Sequence, residues 1–338
     1  MIETVISVEE LYKSFKVPVK KNDLGFWNKV AKVFYREWET IDVLKNLSFE
    51  IYKGDFIGYI GANGAGKSTT IKLLTGILCP EGGRIQCLNF DPYQQRYQYS
   101  YNIGVVFGQK SILEYEVPVQ ASFELYRKIY EMDDRSFQNR LGFYQEILGI
   151  KELLHIPVRK LSFGQRMRCE VAASLLHQPK IVFLDEPTIG LDASAKKEIR
   201  EFLKTVNEVD KTTIILTTHD MKDIEQLCKR VIMIDHGLII YDGDLEKLRR
   251  NYLKEKTLKF RTEKIKDQQK YNQLKEQVHK IEIEEDEEHW NLLLDKVQLG
   301  EFVSELLQSA DFIDLNITEP ELEDVVRHIY EYGIQDRD

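Results

Sequence analysis

The sequence predicts an α/β fold around a central sheet in the first 243 residues, followed by a smaller α+β domain. Three observations support this prediction. Short apolar runs alternate with stretches of helical periodicity up to residue 243, which is typical of α/β domains. A glycine-rich segment at residues 61–68 joins one such run to one such helix. From residue 244 onward, the order becomes strand, helix, two strands, helix, strand and helix.

The elements of the first domain follow from the two periodicities. Apolar β-rich runs predict strands at Asp55–Ile60, Ile103–Phe107, Lys180–Leu184, Thr212–Leu216 and Val231–Ile234. Apolar residues at three- and four-residue spacing predict helices at Lys67–Ile77, Gln165–Leu176, Ala195–Val206 and Asp220–Cys228. This alternation predicts helices packed against the sheet.

The second domain, residues 244–338, begins with a charged helical stretch. Its strands are predicted at Thr257–Arg261, Val278–Ile283, Trp290–Leu294 and Phe312–Ile317. Its helices are predicted at Ile265–Gln277, Glu301–Ser309 and Glu321–Tyr330. The resulting βαββαβ order, with a last helix, predicts a small ferredoxin-like domain.

Charge is distributed unevenly along the chain. The net charge is −9, yet residues 1–250 carry 35 Lys and Arg against 34 Asp and Glu, while residues 251–338 carry 12 against 22. Such a balance argues against a protein whose whole surface binds nucleic acid, so we expect no nucleic-acid partner. The sequence also has no apolar stretch of about 18 residues and no signal-peptide layout at its start, which predicts a cytosolic location.

Residues Gly61–Ser68 read Gly-Ala-Asn-Gly-Ala-Gly-Lys-Ser and match the P-loop pattern between a strand and a helix. Glycines let the backbone N–H groups turn toward a phosphate, and the helix N-terminus adds partial positive charge. Lys67 is placed to reach the β- and γ-phosphates, and the Ser68 hydroxyl to bind Mg²⁺. We therefore expect ATP and Mg²⁺, with the nucleotide contacted by Gly61, Asn63, Gly64, Ala65, Gly66, Lys67, Ser68 and Thr69.

A pair of carboxylates follows the apolar run Ile181–Leu184. A buried strand that ends at Asp185 would deliver this side chain to the Mg²⁺ shell. Glu186 is one residue further and is predicted to polarise the water that attacks the γ-phosphorus, as a general base. Taken alone, Asp-Glu at a strand end also fits an ordinary turn. The P-loop in the same chain favours the catalytic interpretation.

Residues Leu161–Gln165 read Leu-Ser-Phe-Gly-Gln and resemble the signature motif of the ATP-binding cassette (ABC) family, in which glycine is commoner at the position of Phe163. The resemblance covers roughly residues 5–243. It implies a P-loop ATPase cassette with a mixed sheet core and a helical subdomain at about 110–178. Ser162, as N-cap of a helix, would contact a phosphate together with Gly164 and Gln165.

Three further motifs fall in the order that the family requires. Gln109 resembles the Q-loop glutamine, which contacts metal and water and senses the membrane partner. Residues Ile189–Asp192 resemble the D-loop, which crosses to the opposite subunit and would bring Asp192 to the nucleotide there. His219 resembles the switch histidine, which contacts the γ-phosphate and orients Glu186.

The adenine-stacking residue is predicted at Phe15, because stacking needs only a flat ring face. Tyr12, Phe34 or Tyr35 could supply the ring instead, and Phe15 could also serve in core packing. Residues 16–38 resemble an insertion directly after this aromatic.

This insertion carries a net charge of +4 and an aromatic series at three- to four-residue steps: Phe26, Trp27, Val30, Phe34 and Trp38. The pattern predicts a basic amphipathic helix, which could lie on a membrane interface or a partner, or simply pack on its own domain.

The resemblance also implies how the chain works. The family pairs the P-loop of one subunit with the signature motif of another, so a head-to-tail dimer is expected, with a second copy or a paralogous ATPase. Binding of ATP would close this dimer, and hydrolysis would release it, driving a separate permease at the cytoplasmic face of the membrane. The segment Lys110–Phe123 would receive that permease.

The branch of the family to which the chain is most similar is indicated by the appended C-terminal domain and by three segments, Ser68–Gly76, Asp185–Asp192 and Ile317–Asp324. They resemble bacterial drug, antibiotic or lipid exporters with ABC-2-type permeases. An importer ATPase and a soluble regulatory ATPase of the same family remain the alternatives. A DNA-repair ATPase is disfavoured because the roughly fifty residues between Gln109 and Ser162 hold no coiled-coil or zinc insertion, and a translation factor because the chain has one cassette.

Overall fold

We describe the protein from a computed structural model. The described residues are 3–18, 38–108, 110–252, 255–278, 280–284, 287–293, 296–318 and 322–333. The chain divides into two compact units, Met1–Gly243 and Asp244–Asp338. None of the helices within the described ranges combines the length and the apolar character needed to cross a membrane.

The first unit alternates strands and helices. Its strands are β1 (Thr4–Pro18), β2 (Trp38–Tyr52), β3 (Phe56–Gly61), β4 (Gly82–Cys87), β5 (Ile103–Phe107), β6 (Ile181–Asp185), β7 (Thr213–Thr217), β8 (Arg230–Asp235) and β9 (Leu238–Asp244). Its helices are α1 (Lys67–Leu74), α2 (Arg96–Ser100), α3 (Val119–Ile129), α4 (Asp134–Ile147), α5 (Phe163–Leu175), α6 (Ala193–Asp210) and α7 (Met221–Leu227). Short 3₁₀ turns at Lys151–Leu153 and Val158–Lys160 precede α5.

Two sheets form from these strands. The larger sheet has the order β5-β6-β7-β3-β8-β9, and its neighbours from β5 to β8 pair in parallel. A three-stranded antiparallel sheet has the order β2-β1-β4. Ile57, Phe183 and Ile215, one from each of three central strands, are buried, as is usual for parallel strands covered on both faces. Because these strands run in parallel, their carboxyl ends meet at one edge.

The ends of the predicted insertion are strands and not part of a helix. β1 continues to Pro18 and β2 begins at Trp38, and these two residues pair across the antiparallel sheet. Residues 16–18 and Trp38 of the predicted insertion are therefore strand residues, and the prediction that Trp38 belongs to a helical stripe was wrong. Pairing with the facing strand overrides the local pattern here. The rest of the insertion, residues 19–37, lies outside the described residues.

Helix α1 is three residues shorter than the predicted Lys67–Ile77. It ends at Leu74, and the Thr75 hydroxyl donates a 2.8 Å hydrogen bond to the Ile71 carbonyl. Gly76 then adopts φ +70°, and a Cβ at this position would lie 2.0 Å from the Pro92 carbonyl oxygen. The chain leaves the helix here because only glycine combines that conformation with so close an approach.

The second unit follows the order predicted from the sequence. Its elements are α8 (Leu245–Tyr252), β10 (Glu255–Ile265), α9 (Gln268–Glu276), β11 (Lys280–Glu284), β12 (Glu287–Leu293), α10 (Lys296–Ser309), β13 (Ala310–Thr318) and α11 (Leu322–Tyr332). The strands form an antiparallel sheet of order β11-β12-β10-β13, the arrangement of a split βαβ unit. Trp290 is fully buried in its core, and its indole Nε1 donates a 2.9 Å hydrogen bond to Glu288.

A half-buried histidine lies between the sheet and the helices of the first unit. The His177 ring stacks on Tyr130 with centroids 3.7 Å apart, and its Nε2 donates to the Ile103 carbonyl at 2.9 Å. The other ring nitrogen, Nδ1, is buried and has no hydrogen-bond partner. Burial lowers the pKa of His177 to about 4, because a proton on Nδ1 would place an unpaired charge in the interior.

This pKa predicts acid sensitivity. The pKa of a histidine in an unfolded chain is near 6.5, so the unfolded chain binds a proton below that pH. The folded chain binds this proton only near pH 4. We expect the free energy of unfolding to fall from pH 6.5 toward pH 4, by up to about 3 kcal/mol from this group. Urea denaturation at pH 7.5 and pH 5 measures the difference. The variant His177→Gln should flatten the pH dependence, whereas His155→Gln, at an exposed position, should not.

Candidate active site

Part of the predicted site lies at the carboxyl ends of adjacent strands. The P-loop follows β3, Asp185 is the last residue of β6, and His219 comes two residues after β7. Across the sheet, Asp185 pairs in register with Phe107 on one side and with Thr217 on the other. The order β5-β6-β7-β3 thus brings three distant segments of the chain together. Gln109, which follows β5, lies outside the described residues.

The P-loop backbone requires glycine at its centre. Gly66 is the N-cap of α1 with φ +113°, and a Cβ there would lie 2.6 Å from the Leu44 side chain. No side chain caps the helix, so its first N–H groups remain available to an anion. Gly64, with φ +84°, borders open space within the described residues. Asn63, Gly64 and Ser68 are exposed, Gly61 and Thr69 are half-buried, and Ala65 is buried.

The Lys67 side chain folds back onto the backbone of the P-loop. Its side chain is buried, and Nζ donates hydrogen bonds to the carbonyls of Gly61 at 2.6 Å and Ala62 at 3.1 Å. Burial lowers the pKa of Lys67, while the charges of Asp185 and Glu186 act in the opposite direction. A desolvated ammonium with only backbone partners is well suited to a phosphate, which would supply the missing negative charge.

The two proposed Mg²⁺ ligands lie together. Asp185 Oδ1 accepts a 2.5 Å hydrogen bond from the Thr217 hydroxyl, which orients the carboxylate. The Ser68 hydroxyl oxygen is 3.5 Å from the same Oδ1. One hydroxyl and one carboxylate are the donors that Mg²⁺ takes from a protein when phosphates and water complete its shell. The residues present therefore fit the ion, although the described residues contain no cluster of three or more His, Cys, Asp or Glu side chains that would hold a metal.

Glu186 and His219 are in direct contact, with Oε1 and Nε2 2.9 Å apart. Glu186 adopts φ +56°, an uncommon conformation for a non-glycine residue that concentrates at functional sites. Its N–H donates to the Thr217 carbonyl at 3.0 Å, which fixes this conformation. Gly108 approaches from the neighbouring strand, where a Cβ would lie 2.8 Å from the Glu186 carbonyl oxygen. Both side chains remain partly exposed, so water can reach them.

The signature segment begins helix α5 as predicted. The Ser162 hydroxyl accepts from the Gln165 N–H at 3.2 Å, and the Gln165 side chain accepts from the Ser162 N–H at 2.9 Å, a complete capping box. Gly164 faces the side chains of Leu191 and Ala195. Asp192 caps α6 through a 2.9 Å bond from the Ala195 N–H. The structure therefore packs the signature segment against the D-loop.

The variant residue Phe163 has a defined place in this arrangement. Its side chain is exposed, and its ring edge would be 3.7 Å from a Cβ built on Gly190 of the D-loop. The Arg166 guanidinium lies 5.3 Å from the ring centroid, within the range of a cation–π contact. Phenylalanine thus fits this position by covering the glycine of the D-loop.

Phe15 lies in β1 opposite Ile41, half-buried, with the Lys13 ammonium 5.3 Å from its ring centroid. The backbone of Val43 and the side chain of Leu44, further along β2, approach Gly66 of the P-loop. Among the alternatives, Tyr12 is engaged elsewhere, because its hydroxyl donates a 2.6 Å bond to Asp42. Phe34 and Tyr35 lie outside the described residues.

Sequence analysis missed a buried polar network next to the site. Asp223 of α7 is fully buried and contacts Thr188, Arg200 and Thr218. Thr188 lies within the run that resembles the D-loop region, but nothing in its spacing indicated a partner 35 residues away. A second missed residue is Glu170 of α5, whose buried carboxylate lies 3.5 Å from Arg166. Burial raises its pKa.

Comparisons with known proteins are consistent with this geometry. The family profile described as ABC transporter matches residues 44–189. The chain is 31% identical over 218 residues to the ABC transporter ATP-binding protein NatA of Bacillus subtilis, covering 64% of this chain and 88% of that protein. It is 33% identical over 201 residues to the Nod factor export ATP-binding protein I of Ralstonia nicotianae, covering 60% of this chain and 62%, slightly less than two thirds, of that protein.

Among solved structures, the chain resembles an ATP-binding subunit of an ABC transporter, with a TM-score of 0.60 and 22% identity. The match covers 73% of this chain and 93% of that one. At this level of identity the likeness concerns the fold.

The geometry of Gly66 predicts a defect on substitution. Gly66→Ala should lower the free energy of unfolding by about 1–3 kcal/mol, because the methyl group would clash with Leu44 and φ is positive. Urea denaturation measures the change. Gly142→Ala is the control, since its Cβ would meet no atom within 4 Å and it lies inside helix α4, where alanine should be neutral or stabilising. Equal stability of the two variants would contradict the packing described here.

Proposed function

The chain belongs to the ABC transporter family, as an ATP-binding ATPase subunit, and we propose that it binds and hydrolyses ATP between two copies of itself to drive a separate membrane permease. The observation that carries this proposal is the cluster at adjacent strand ends. Lys67, Asp185, Glu186 and His219 come from three strands, and Glu186 touches His219 at 2.9 Å.

In the proposed reaction, the P-loop amides and Lys67 hold the β- and γ-phosphates, in exchange for the present contacts of Lys67 with Gly61 and Ala62. Ser68 and Asp185 hold Mg²⁺. When bound, this ion neutralises charge that develops on the phosphate oxygens.

Glu186 polarises the water that attacks the γ-phosphorus and accepts its proton as the bond to the leaving ADP breaks, and His219, 2.9 Å away, orients Glu186. The partial exposure of both side chains supports this role, since a water must enter beside them. Gln109 is proposed as a further contact to the metal and the water, from its position after β5. Phe15 is proposed to stack on adenine, supported by its half-buried ring on the strand pair that contacts Gly66.

A dimer follows from the family's pairing of P-loop and signature segment across subunits. Each chain has one of each, and Ser162 and Asp192 are exposed at the starts of two neighbouring helices. The start of α5, with Ser162, Gly164 and Gln165, would face the γ-phosphate held by the other copy, where the Ser162 hydroxyl and the positive end of the helix dipole both favour an anion. Since all catalytic residues are present in this chain, a homodimer would have two competent sites.

The partner is proposed to be an ABC-2-type exporter permease, and the chain is proposed to act at the cytoplasmic face of the membrane. Support comes from the similarity to a protein named for Nod factor export and from the unit at 244–338 that extends beyond the matched region. The basic aromatic segment at 19–37 adds a sequence-based argument for membrane proximity.

The role of Glu186 is tested by Glu186→Gln. This variant should keep ATP affinity, because the amide retains the size of the side chain, but turnover should fall by at least about 10²-fold without the base. Phosphate release and binding of a fluorescent ATP analogue are measured in parallel. Lys67→Met is the contrasting variant and should lose binding itself. Sustained hydrolysis by Glu186→Gln would refute the assigned base.

Dimer formation is tested in the same background, where ATP is bound and not consumed. With saturating ATP and Mg²⁺, light scattering should report twice the monomer mass of 39.7 kDa. Adding Ser162→Arg should keep the protein monomeric, because a bulky side chain would fill the place of the γ-phosphate. Ser136→Arg, at the exposed start of α4, is the matched control and should still dimerise. A monomer at saturating ATP would contradict a homodimer and indicate a paralogous partner.

A further inference from the structure

One carboxylate outside the proposed reaction centre joins both of its loops. Asp223 of α7 has no exposed surface. Its Oδ2 accepts hydrogen bonds from the hydroxyl of Thr188 at 2.5 Å and from that of Thr218 at 3.4 Å. Its Oδ1 accepts from the Arg200 guanidinium at 2.8 Å. Within the described residues this carboxylate therefore has three donors from three different segments.

The positions of two of these donors are informative. Thr188 comes two residues after Glu186, and Thr218 comes directly before His219. A single carboxylate oxygen thus ties the loop after β6 to the loop after β7. Closer to the strands, the Glu186 N–H donates to the carbonyl of Thr217 at 3.0 Å and approaches its hydroxyl at 3.2 Å. These bonds fix the backbone of Glu186, whereas Asp223 fixes the chain two residues after Glu186 and directly before His219.

The third donor connects this tie to helix α6. Arg200 lies two turns after Asp192, the N-cap of α6, and its side chain is largely buried at 15% exposure. A buried carboxylate is stable only when its charge and lone pairs are matched by donors. Arg200 supplies the charge and the threonines supply two further donors, so the geometry of the group is strongly constrained.

We propose that Asp223, anchored by Arg200, is a positioning residue that holds Glu186 and His219 in their 2.9 Å contact. It acts through Thr188 and Thr218 and touches no reacting atom. The inference rests on the proposed function, because it assigns Asp223 to the hydrolysis in which Glu186 is the base. Through Arg200, helix α6 then connects the D-loop residue Asp192, at its N-terminus, to Asp223 and so to the catalytic pair.

The hydroxyl of Thr188 gives the sharpest test, because it can be removed without changing the shape of the side chain. Thr188→Val should lower kcat by about tenfold and leave the KM for ATP within about twofold, since a small displacement of a base is costly for the chemical step only. Thr188→Ser keeps the hydroxyl and should retain most of the wild-type rate. Steady-state phosphate release over a range of ATP concentrations measures both parameters.

Two further comparisons separate positioning from a general loss of structure. Arg200→Met breaks the pair with Asp223. Arg140→Met breaks a 2.5 Å pair with Asp210, at the end of α6, in which the arginine is buried to the same extent but the carboxylate is partly exposed. Both should lower stability, but only Arg200→Met should lower kcat. In the Glu186→Gln background, Thr188→Val should cause no further loss of the residual rate, because Asp223 acts through Glu186.

Each outcome decides between the proposals. Equal kcat for Thr188→Val and Thr188→Ser would overturn the role of Asp223 while leaving Glu186 as the base. So would an equal loss of kcat in Arg140→Met and Arg200→Met, or a Thr188→Val defect that persists in the Glu186→Gln background. Undiminished turnover in Glu186→Gln alone would instead refute the proposed function. If Arg200→Met fails to fold, the Thr188 pair still gives the answer.

Discussion

The parallel register of the central strands is the constraint on which the candidate site depends. Because β5, β6, β7 and β3 are neighbours and run in the same direction, their carboxyl ends lie along one edge. Asp185 and Thr217 are in register, so a 2.5 Å hydrogen bond joins their side chains. A shift of one residue in either strand would turn the side chain of that strand to the opposite face and remove this bond.

Buried charge is the second physical feature of this unit. Lys67 has backbone carbonyls as its hydrogen-bond partners, and burial lowers its pKa. A bound phosphate would therefore stabilise the charged form of Lys67. Asp223 has Arg200 and two hydroxyls, so its charge is already matched in the folded chain. The first group suits a residue that binds a ligand, and the second suits a residue that holds others in place. Glu186 differs from both, because its side chain is only half-buried and its backbone has a positive φ, a conformation that concentrates at functional sites.

Charge also distinguishes the two units. Residues 1–250 are nearly neutral, with 35 basic and 34 acidic side chains, while residues 251–338 carry 12 and 22. Because the excess of acidic over basic side chains lies in residues 251–338, the net charge of the ATPase unit would not oppose the proposed approach of the basic segment at 19–37 to anionic lipid. The acidic unit has a core of its own around Trp290 and a sheet of its own, as expected of a separate domain.

The sequence by itself determined the features that depend on short spacing. The P-loop between a strand and a helix, the N-cap role of Ser162, and the Asp-Glu pair at the end of β6 could all be predicted, because each involves residues within a few positions of one another. Periodicity likewise indicated the order of elements in the second unit and, in the first, the alternation of β3, β5, β6, β7 and β8 with four of the helices, but it did not indicate the antiparallel sheet of β1, β2 and β4.

Only the tertiary structure decided which distant segments meet. The contact of Glu186 with His219 was implied by resemblance alone, whereas the tie from Thr188 to Asp223 and the pairing of Pro18 with Trp38 had no local signal. Strand order and register are set by burial of whole faces and by hydrogen bonds between strands far apart in the chain. For that reason the reactive groups could be named from the sequence, but the residues that hold them in place could not.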